Sequence, residues 1–382
     1  MQELSRPHEV LVVTPHYTAH GFETEAITDT LIREIARREH IHFTWAATAE
    51  SDLPEMMGQS LLPMNGTVLI EQATGKAWPL WSRRAYGRLQ EVMERADQVW
   101  IHGDMAPCFY RVWRLAKKLR KPVVMTFQGG LRNKAGFLAR LFDKRITMPL
   151  LRAVDHAFFT SDRVGEDYYN RAAFTKPISI VPNGVDLRVF HAPLLETRRY
   201  LRQQFALKAE QPILLFVGPF TKAKGLLMLR ELAKRMPNWR FWLAGNGKID
   251  PERWLLPNVH VFRDRRGPML AELYHAADLL LAPGETAGFP RAIQEAMACG
   301  LPVMTSPEIA AGSRAATPFL HLAHVWARDP ARTAEVWHRK LLDFPLHLPL
   351  SAPLYDIADF AQLTWEWAPI ASVYAEVFHA DR

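Results

Sequence analysis

Short apolar runs alternate with amphipathic stretches along the first half of the chain. The runs 9–14 (EVLVVT), 41–47 (IHFTWAA), 98–102 (QVWIH), 122–126 (PVVMT), 155–160 (DHAFFT) and 178–181 (ISIV) have interiors rich in Val, Ile, Phe and Trp. Strands buried on both faces read this way. Between them, segments such as 23–38 and 106–121 carry apolar residues at helical spacing. Strand–helix alternation predicts a parallel sheet with right-handed crossovers. After a looser stretch at 186–211 the pattern restarts, with strands expected at 212–218, 239–244, 258–262, 278–282 and 302–305. A Pro-rich segment, 344–353, precedes a last helix expected over 355–379. The pattern divides the chain into an N-terminal α/β domain over 1–190, a second over 191–350, and a tail over 351–382 expected to pack back on the first.

Composition narrows the class. The 382 residues are 48% hydrophobic and 23% charged, as in an ordinary folded protein. No apolar run reaches the roughly 18 residues of a membrane-spanning helix, and MQELSRPHEVLVV lacks a signal-peptide layout, so a cytoplasmic protein is expected. Two distant cysteines, Cys108 and Cys299, indicate neither a disulfide framework nor a zinc site. Neither Asp-x-Asp nor His-Glu-x-x-His occurs, and no Walker loop, so no metal and no cofactor is expected. The twelve Trp are scattered, which points to packing and not to a sugar-binding platform.

The net charge of +7 is concentrated. Residues 101–150 hold 11 Lys/Arg against 2 Asp/Glu. Phe109, Val112, Leu115, Ala116 and Leu119 recur at helical spacing, which leaves Arg111, Arg114, Lys117, Lys118 and Lys121 facing outward. Arg132, Lys134, Arg140, Lys144 and Arg145 follow, among Phe137, Leu138 and Leu141. Such a surface over 106–145 suits an anionic membrane on the inner face, reached by peripheral docking. No recognition motif or stacking platform accompanies it, so nucleic acid is not expected as a partner.

The stretch with most chemistry is 277–303, ADLLLAPGETAGFPRAIQEAMACGLPV. A strand ends at Pro283, a Gly-containing loop follows, and a helix begins near Pro290. The unpaired N–H groups and partial positive charge at a helix start suit a diphosphate. Gly288 permits close backbone approach, Arg291 adds a cation in the first turn, and Glu295, about one turn on, suits a ribose diol.

This stretch resembles the signature of glycosyltransferase family 4, retaining enzymes of the GT-B fold. VPNGVDLRVF (181–190), ILLFVGPFTKAKG (213–225), FWLAGNG (241–247) and FAQLTWEWAPIASVY (360–374) resemble other family segments, in order. The resemblance implies two Rossmann-like domains facing a central cleft, with a C-terminal helix crossing back to the first. It implies transfer of a sugar from a nucleotide-diphosphate sugar to a glycan or lipid-linked acceptor, in cell-envelope polysaccharide or glycolipid synthesis. The donor-binding residues it implies are Gly21, Gly218, Lys222, Lys224, Thr286, Gly288, Phe289, Arg291 and Glu295; Lys224, Gln128 and Glu285 are implied at the reacting centre. Asn183 and Gly184 are expected to shape the cleft wall, and His102 reads as a hydrogen-bonded structural residue at a strand end.

Three positions depart from the family. Pro219 replaces an Arg, which Lys222 or Arg291 is expected to supply. Ala287 replaces the first Glu of a paired-glutamate motif, leaving Glu285 or Thr286 to substitute, and Gln128 stands where a His is usual. These losses favour one alternative, a catalytically degenerate partner subunit of the same fold, and weigh against the other, a sugar-nucleotide epimerase, which needs acidic and basic residues around the anomeric centre.

Overall fold

In a computed structural model, residues 6–17, 23–49, 59–69, 78–103, 107–128, 141, 144–145, 148–172, 176–205, 211–284, 288–345 and 352–380 are described. The chain forms two compact units. The first comprises Met1–Asn183 with Trp367–Arg382, and the second Gly184–Glu366.

The first unit is built on β1 (His8–Tyr17), β2 (Ile41–Ala49), β3 (Gln59–Pro63), β6 (Gln98–His102), β7 (Val123–Phe127), β8 (His156–Phe159) and β9 (Ile178–Ile180). They lie in the order β3-β2-β1-β6-β7-β8-β9. Every pairing is parallel. Strands β4 (Gly66–Leu69) and β5 (Trp78–Trp81) pair antiparallel apart from this sheet. Central strands β6 and β7 are buried at every position, so apolar residues occupy both of their faces.

The final helix expected over 355–379 is two helices. Ala352–Trp365 belongs to the second unit, where Ile357, Ala361 and Trp365 join its core. Trp367–His379 belongs to the first, where Ile370, Ala371, Tyr374, Ala375 and Phe378 pack on Val12, Trp100 and Phe158. Tyr374 stacks on Phe158 with ring centroids 4.0 Å apart. Between them Glu366 forms a parallel bridge with Val185, whose N–H donates to the Trp365 carbonyl at 2.8 Å.

The second unit contains β10 (Ile213–Val217), β11 (Arg240–Ala244), β12 (Val259–Phe262), β13 (Leu279–Ala282), β14 (Val303–Thr305) and β15 (Leu320–Leu322), in the order β12-β11-β10-β13-β14-β15. All are parallel. From β10 the chain winds outward through β11 and β12, then returns to β13 on the other flank. The order therefore reverses between β10 and β13, and open α/β sheets bind ligands beyond the carboxyl ends of strands at such a point. The first unit has the same reversal between β1 and β6.

Candidate functional site

Loops at the carboxyl ends of β10, β11 and β13 converge, and glycines let them. Gly218, just past β10, has φ +149°, and Gly245, just past β11, has φ +147°. A Cβ on Gly245 would fall 2.1 Å from the Gly218 carbonyl oxygen, and one on Gly247 would fall 2.5 Å from that of Phe220. This close approach is stitched by backbone hydrogen bonds, Phe220 N–H to Asn246 O at 2.8 Å and Ile249 N–H to Phe220 O at 3.0 Å. Any side chain at Gly245 breaks the contact. Gly245→Ala is expected to destabilise the second unit by about 2 kcal/mol, read as a lower urea midpoint.

The chain then turns through a short 3-10 segment, Lys222–Lys224, into the helix Leu226–Arg235. Gly225 between them has φ +82°, and a Cβ there would lie 2.7 Å from Pro283 Cγ. Gly284, just beyond β13, faces the same turn: a Cβ on it would lie 3.1 Å from Lys224 Cα and 3.4 Å from Lys224 Cδ. The Lys-Gly of one loop and the Pro-Gly of the other therefore interlock where the strand order reverses. Lys224 is half-buried there, whereas Lys222 is exposed.

Beyond Pro290 runs the helix Arg291–Ala298, and Pro290 at its N-cap makes no side-chain capping bond. Phe289 turns its ring toward Trp365, centroids 5.8 Å apart, and packs against the apolar core. Its backbone lies close to Gly312, where a Cβ would be 3.1 Å from the Phe289 nitrogen. Glu295 is 6% exposed. One of its oxygens accepts from the Arg291 guanidinium and the other from the Tyr274 hydroxyl, both at 3.0 Å. Arg291, in the first turn of this helix, pairs through one guanidinium nitrogen with Glu295 one turn further along. Tyr274 was not singled out in the sequence, where it is one residue of an apolar helix, Pro268–Ala276. Burial, with the Glu295 charge second, holds its hydroxyl well above 10, so it remains a donor.

Gly21, Glu285 and Thr286, with Ala287, lie outside the described residues. Gln128 lies in the first unit, just past β7. Its amide nitrogen is 2.8 Å from His102 Nε2 and 3.3 Å from Asn183 Oδ1, and the Asn183 amide donates back to Gln128 Oε1 at 3.0 Å. His102 is fully buried at the end of β6, and burial pushes it down to about 3. With a folded value below the unfolded one of about 6.5, the neutral ring contributes stability that is present above that pH and lost as pH falls toward 3.

The basic helix Pro107–Lys118 buries Phe109, Val112 and Ala116, and exposes Arg111, Arg114, Lys117 and Lys118. Three of these cations lie over rings: Arg111 over Tyr86 at 5.0 Å, Arg114 over Tyr110 at 5.9 Å and Lys117 over Trp113 at 5.5 Å. Leu115 and Leu119 are only half-buried. Lys121 departs from the expected outward face, because its ammonium donates to the carbonyls of Glu94 at 2.9 Å and Ala96 at 2.6 Å. Lys144 and Arg145 are exposed and Leu141 is 37% exposed. Arg132, Lys134, Phe137, Leu138 and Arg140 lie outside the described residues. Among the described residues no helix is long and apolar enough to cross a membrane, and no three His, Cys, Asp or Glu are grouped to hold a metal ion.

The sequence matches the profile of Glycosyltransferase Family 4 over residues 2–189 and that of Glycosyl transferases group 1 over 211–334. The chain belongs to glycosyltransferase family 4. Its fold, two Rossmann-like units, is of the GT-B type: Anabaena Alr3699/HepE in complex with UDP superposes with a TM-score of 0.72 at 14% identity, covering 97% of this chain and 100% of that one. Among curated relatives, a D-inositol 3-phosphate glycosyltransferase of Mycobacteroides abscessus is 29% identical over 141 residues, 34% of this chain and 31% of that protein. The alpha-galactosylglucosyldiacylglycerol synthase of Streptococcus pneumoniae is 27% identical over 195 residues, 47% of this chain and 50% of that protein. The chain thus spans about a third to a half of the length of these relatives.

Proposed function

We propose that this family 4 member is a retaining glycosyltransferase, moving a sugar from a nucleotide-diphosphate sugar to a glycan or lipid-linked acceptor in the synthesis of cell-envelope polysaccharide or glycolipid. The observation that carries the reading is the interlock of Lys224 with Gly284 at the strand-order reversal of the second sheet. A cation seated at that point suits a diphosphate that gains negative charge as the glycosidic bond breaks. The start of the helix after Pro290, a residue with no capping side chain, offers N–H groups and dipole charge to the same anion, and Glu295 on that helix suits the ribose. The name of the Streptococcus relative points to a glycolipid and that of the Mycobacteroides relative to an inositol phosphate, and the Anabaena protein holds UDP. Gln128, held by His102 and Asn183, would hydrogen-bond a sugar hydroxyl as a neutral group.

The test is release of free nucleoside diphosphate from UDP-, GDP- and ADP-sugars, with and without glycan and lipid acceptors. Acceptor-dependent release is expected for one donor, and it should survive EDTA, since fixed cations and helix N–H groups would do the work of a metal. Loss of turnover in EDTA with recovery in Mn²⁺ would contradict the metal-independent part. One observation favours the degenerate-subunit alternative: the Arg291 expected to replace the cation missing at Pro219 is paired with Glu295. Binding of a nucleoside diphosphate without release from any donor would favour that alternative.

The acceptor side would dock reversibly on the anionic cytoplasmic face of a membrane through Arg111, Arg114, Lys117 and Lys118. Each basic residue near such a surface contributes about 1 kcal/mol, and screening over about 8 Å at physiological salt makes the attraction steeply salt-dependent. Co-sedimentation is expected with anionic but not neutral vesicles, and is expected to be lost when these four residues are changed to Ser together. Equal binding to both vesicle types would leave a soluble acceptor as the better reading.

A further inference from the structure

Glu295 is almost fully buried, and a carboxylate in that position is useful to a ligand only if its plane is fixed. A glutamate side chain has three rotatable bonds, and a ribose diol needs both oxygens aligned with its two hydroxyls. Two groups fix the plane here from different sides. The Arg291 guanidinium holds Oε1 and the Tyr274 hydroxyl holds Oε2. Arg291 is on the same helix one turn away, so it moves with Glu295 and cannot by itself set the carboxylate against the sheet. Tyr274 comes from a different helix, is 1% exposed, and is locked edge-on against Phe190 with ring centroids 5.9 Å apart. It therefore ties the carboxylate to the body of the second unit.

We infer that Tyr274 is a positioning residue for the donor ribose, acting through Glu295: its hydroxyl sets the carboxylate plane that receives the 2′- and 3′-hydroxyls. This rests on the donor reading above. A plain core tyrosine that satisfies a buried carboxylate would share the same contact, so the test must read the ribose itself.

The probes are whichever of UDP, GDP or ADP binds the wild type most tightly, and its 2′,3′-dideoxy counterpart, with affinities taken by calorimetry. Hydrogen bonds to a charged group predict a wild-type loss of about tenfold to a hundredfold on removing both hydroxyls. Tyr274→Phe should shrink that ratio to below about threefold. On a Glu295→Ala background, adding Tyr274→Phe should change nucleotide affinity no further, because the group it acts through is gone. A wild-type ratio retained in Tyr274→Phe, or losses that add in the double variant, overturns the inference while leaving the donor site standing. Absence of a ribose effect in the wild type overturns the assignment of Glu295, and this inference with it. Thermal melts establish that each variant is folded, and Tyr274→Met, of adaptable shape, takes the place of Tyr274→Phe should that variant fail.

Discussion

Lys224→Ala should lower kcat by about a hundredfold to a thousandfold, the range for removing one well-aimed donor from a developing anion. Gly284 leaves room for the lysine stem, Gly225 turns the chain in the left-handed region directly after it, and the sheet reverses its order at that point. This half-buried side chain lies outside the buried clusters of the second unit, so stability should change by less than about 1 kcal/mol. Lys224→Arg should rescue poorly, because the planar guanidinium is wider than an ammonium where the stem passes Gly284. Steady-state kinetics and nucleoside diphosphate titration on the same preparations check both variants. An unchanged kcat with unchanged affinity would remove Lys224 from the site.

The central strands were legible because both of their faces are buried. Runs such as QVWIH and ILLFV carry that burial as unbroken apolar sequence. The edge strands β3 (QSLLP) and β15 (LHL) were not, since a short strand with one partner needs no such run. The division of the tail at Glu366 had one sequence signal, Pro369, which cannot donate to the Trp365 carbonyl four residues back and fits the first turn of a new helix. Apolar residues continue through WEW, and what separates the two helices is a backbone bridge to Val185, a residue far away in sequence. In the site, the glycines were visible because a backbone that must approach another loop admits little else, whereas Lys224 was marked only by the resemblance to the family. Gly245 and Gly247, in the family-like segment FWLAGNG, are required by contact with Gly218 and Phe220. The pairing of Glu295 with Arg291 and Tyr274 had no sequence signal beyond helical spacing, because the tyrosine arrives from another helix. Lys121 shows the limit of that spacing: the helix ends at Lys118, and past the turn at Arg120 the Lys121 ammonium donates to the carbonyls that end the neighbouring helix.

The largest loss of stability is expected at Asp278, which no reading of the sequence connected to function. Its carboxylate accepts from Arg198 at 2.6 Å, from Arg202 at 3.1 Å and from the Ile213 N–H at 2.8 Å, tying the start of β10 to the start of β13. Arg198 is 5% exposed and also donates to the carbonyls of His275 at 2.7 Å and Ala277 at 2.5 Å, next to the end of the helix Pro268–Ala276. Burial pushes the Arg198 guanidinium below its ordinary value, and the Asp278 charge is what opposes that shift. Asp278→Ala would leave two guanidinium groups side by side, one of them buried, with no anion between them. Breaking a buried pair from one side costs about 3–5 kcal/mol, and the loss should fall on the transition that unfolds residues 184–366. Asp278→Asn keeps an acceptor for the Ile213 N–H but not the charge, so its loss should be intermediate. Urea unfolding followed by tryptophan fluorescence, with Trp242 fully buried beside β10, reports that transition. A loss below about 1 kcal/mol for Asp278→Ala would mean that water reaches the two arginines once the carboxylate is gone.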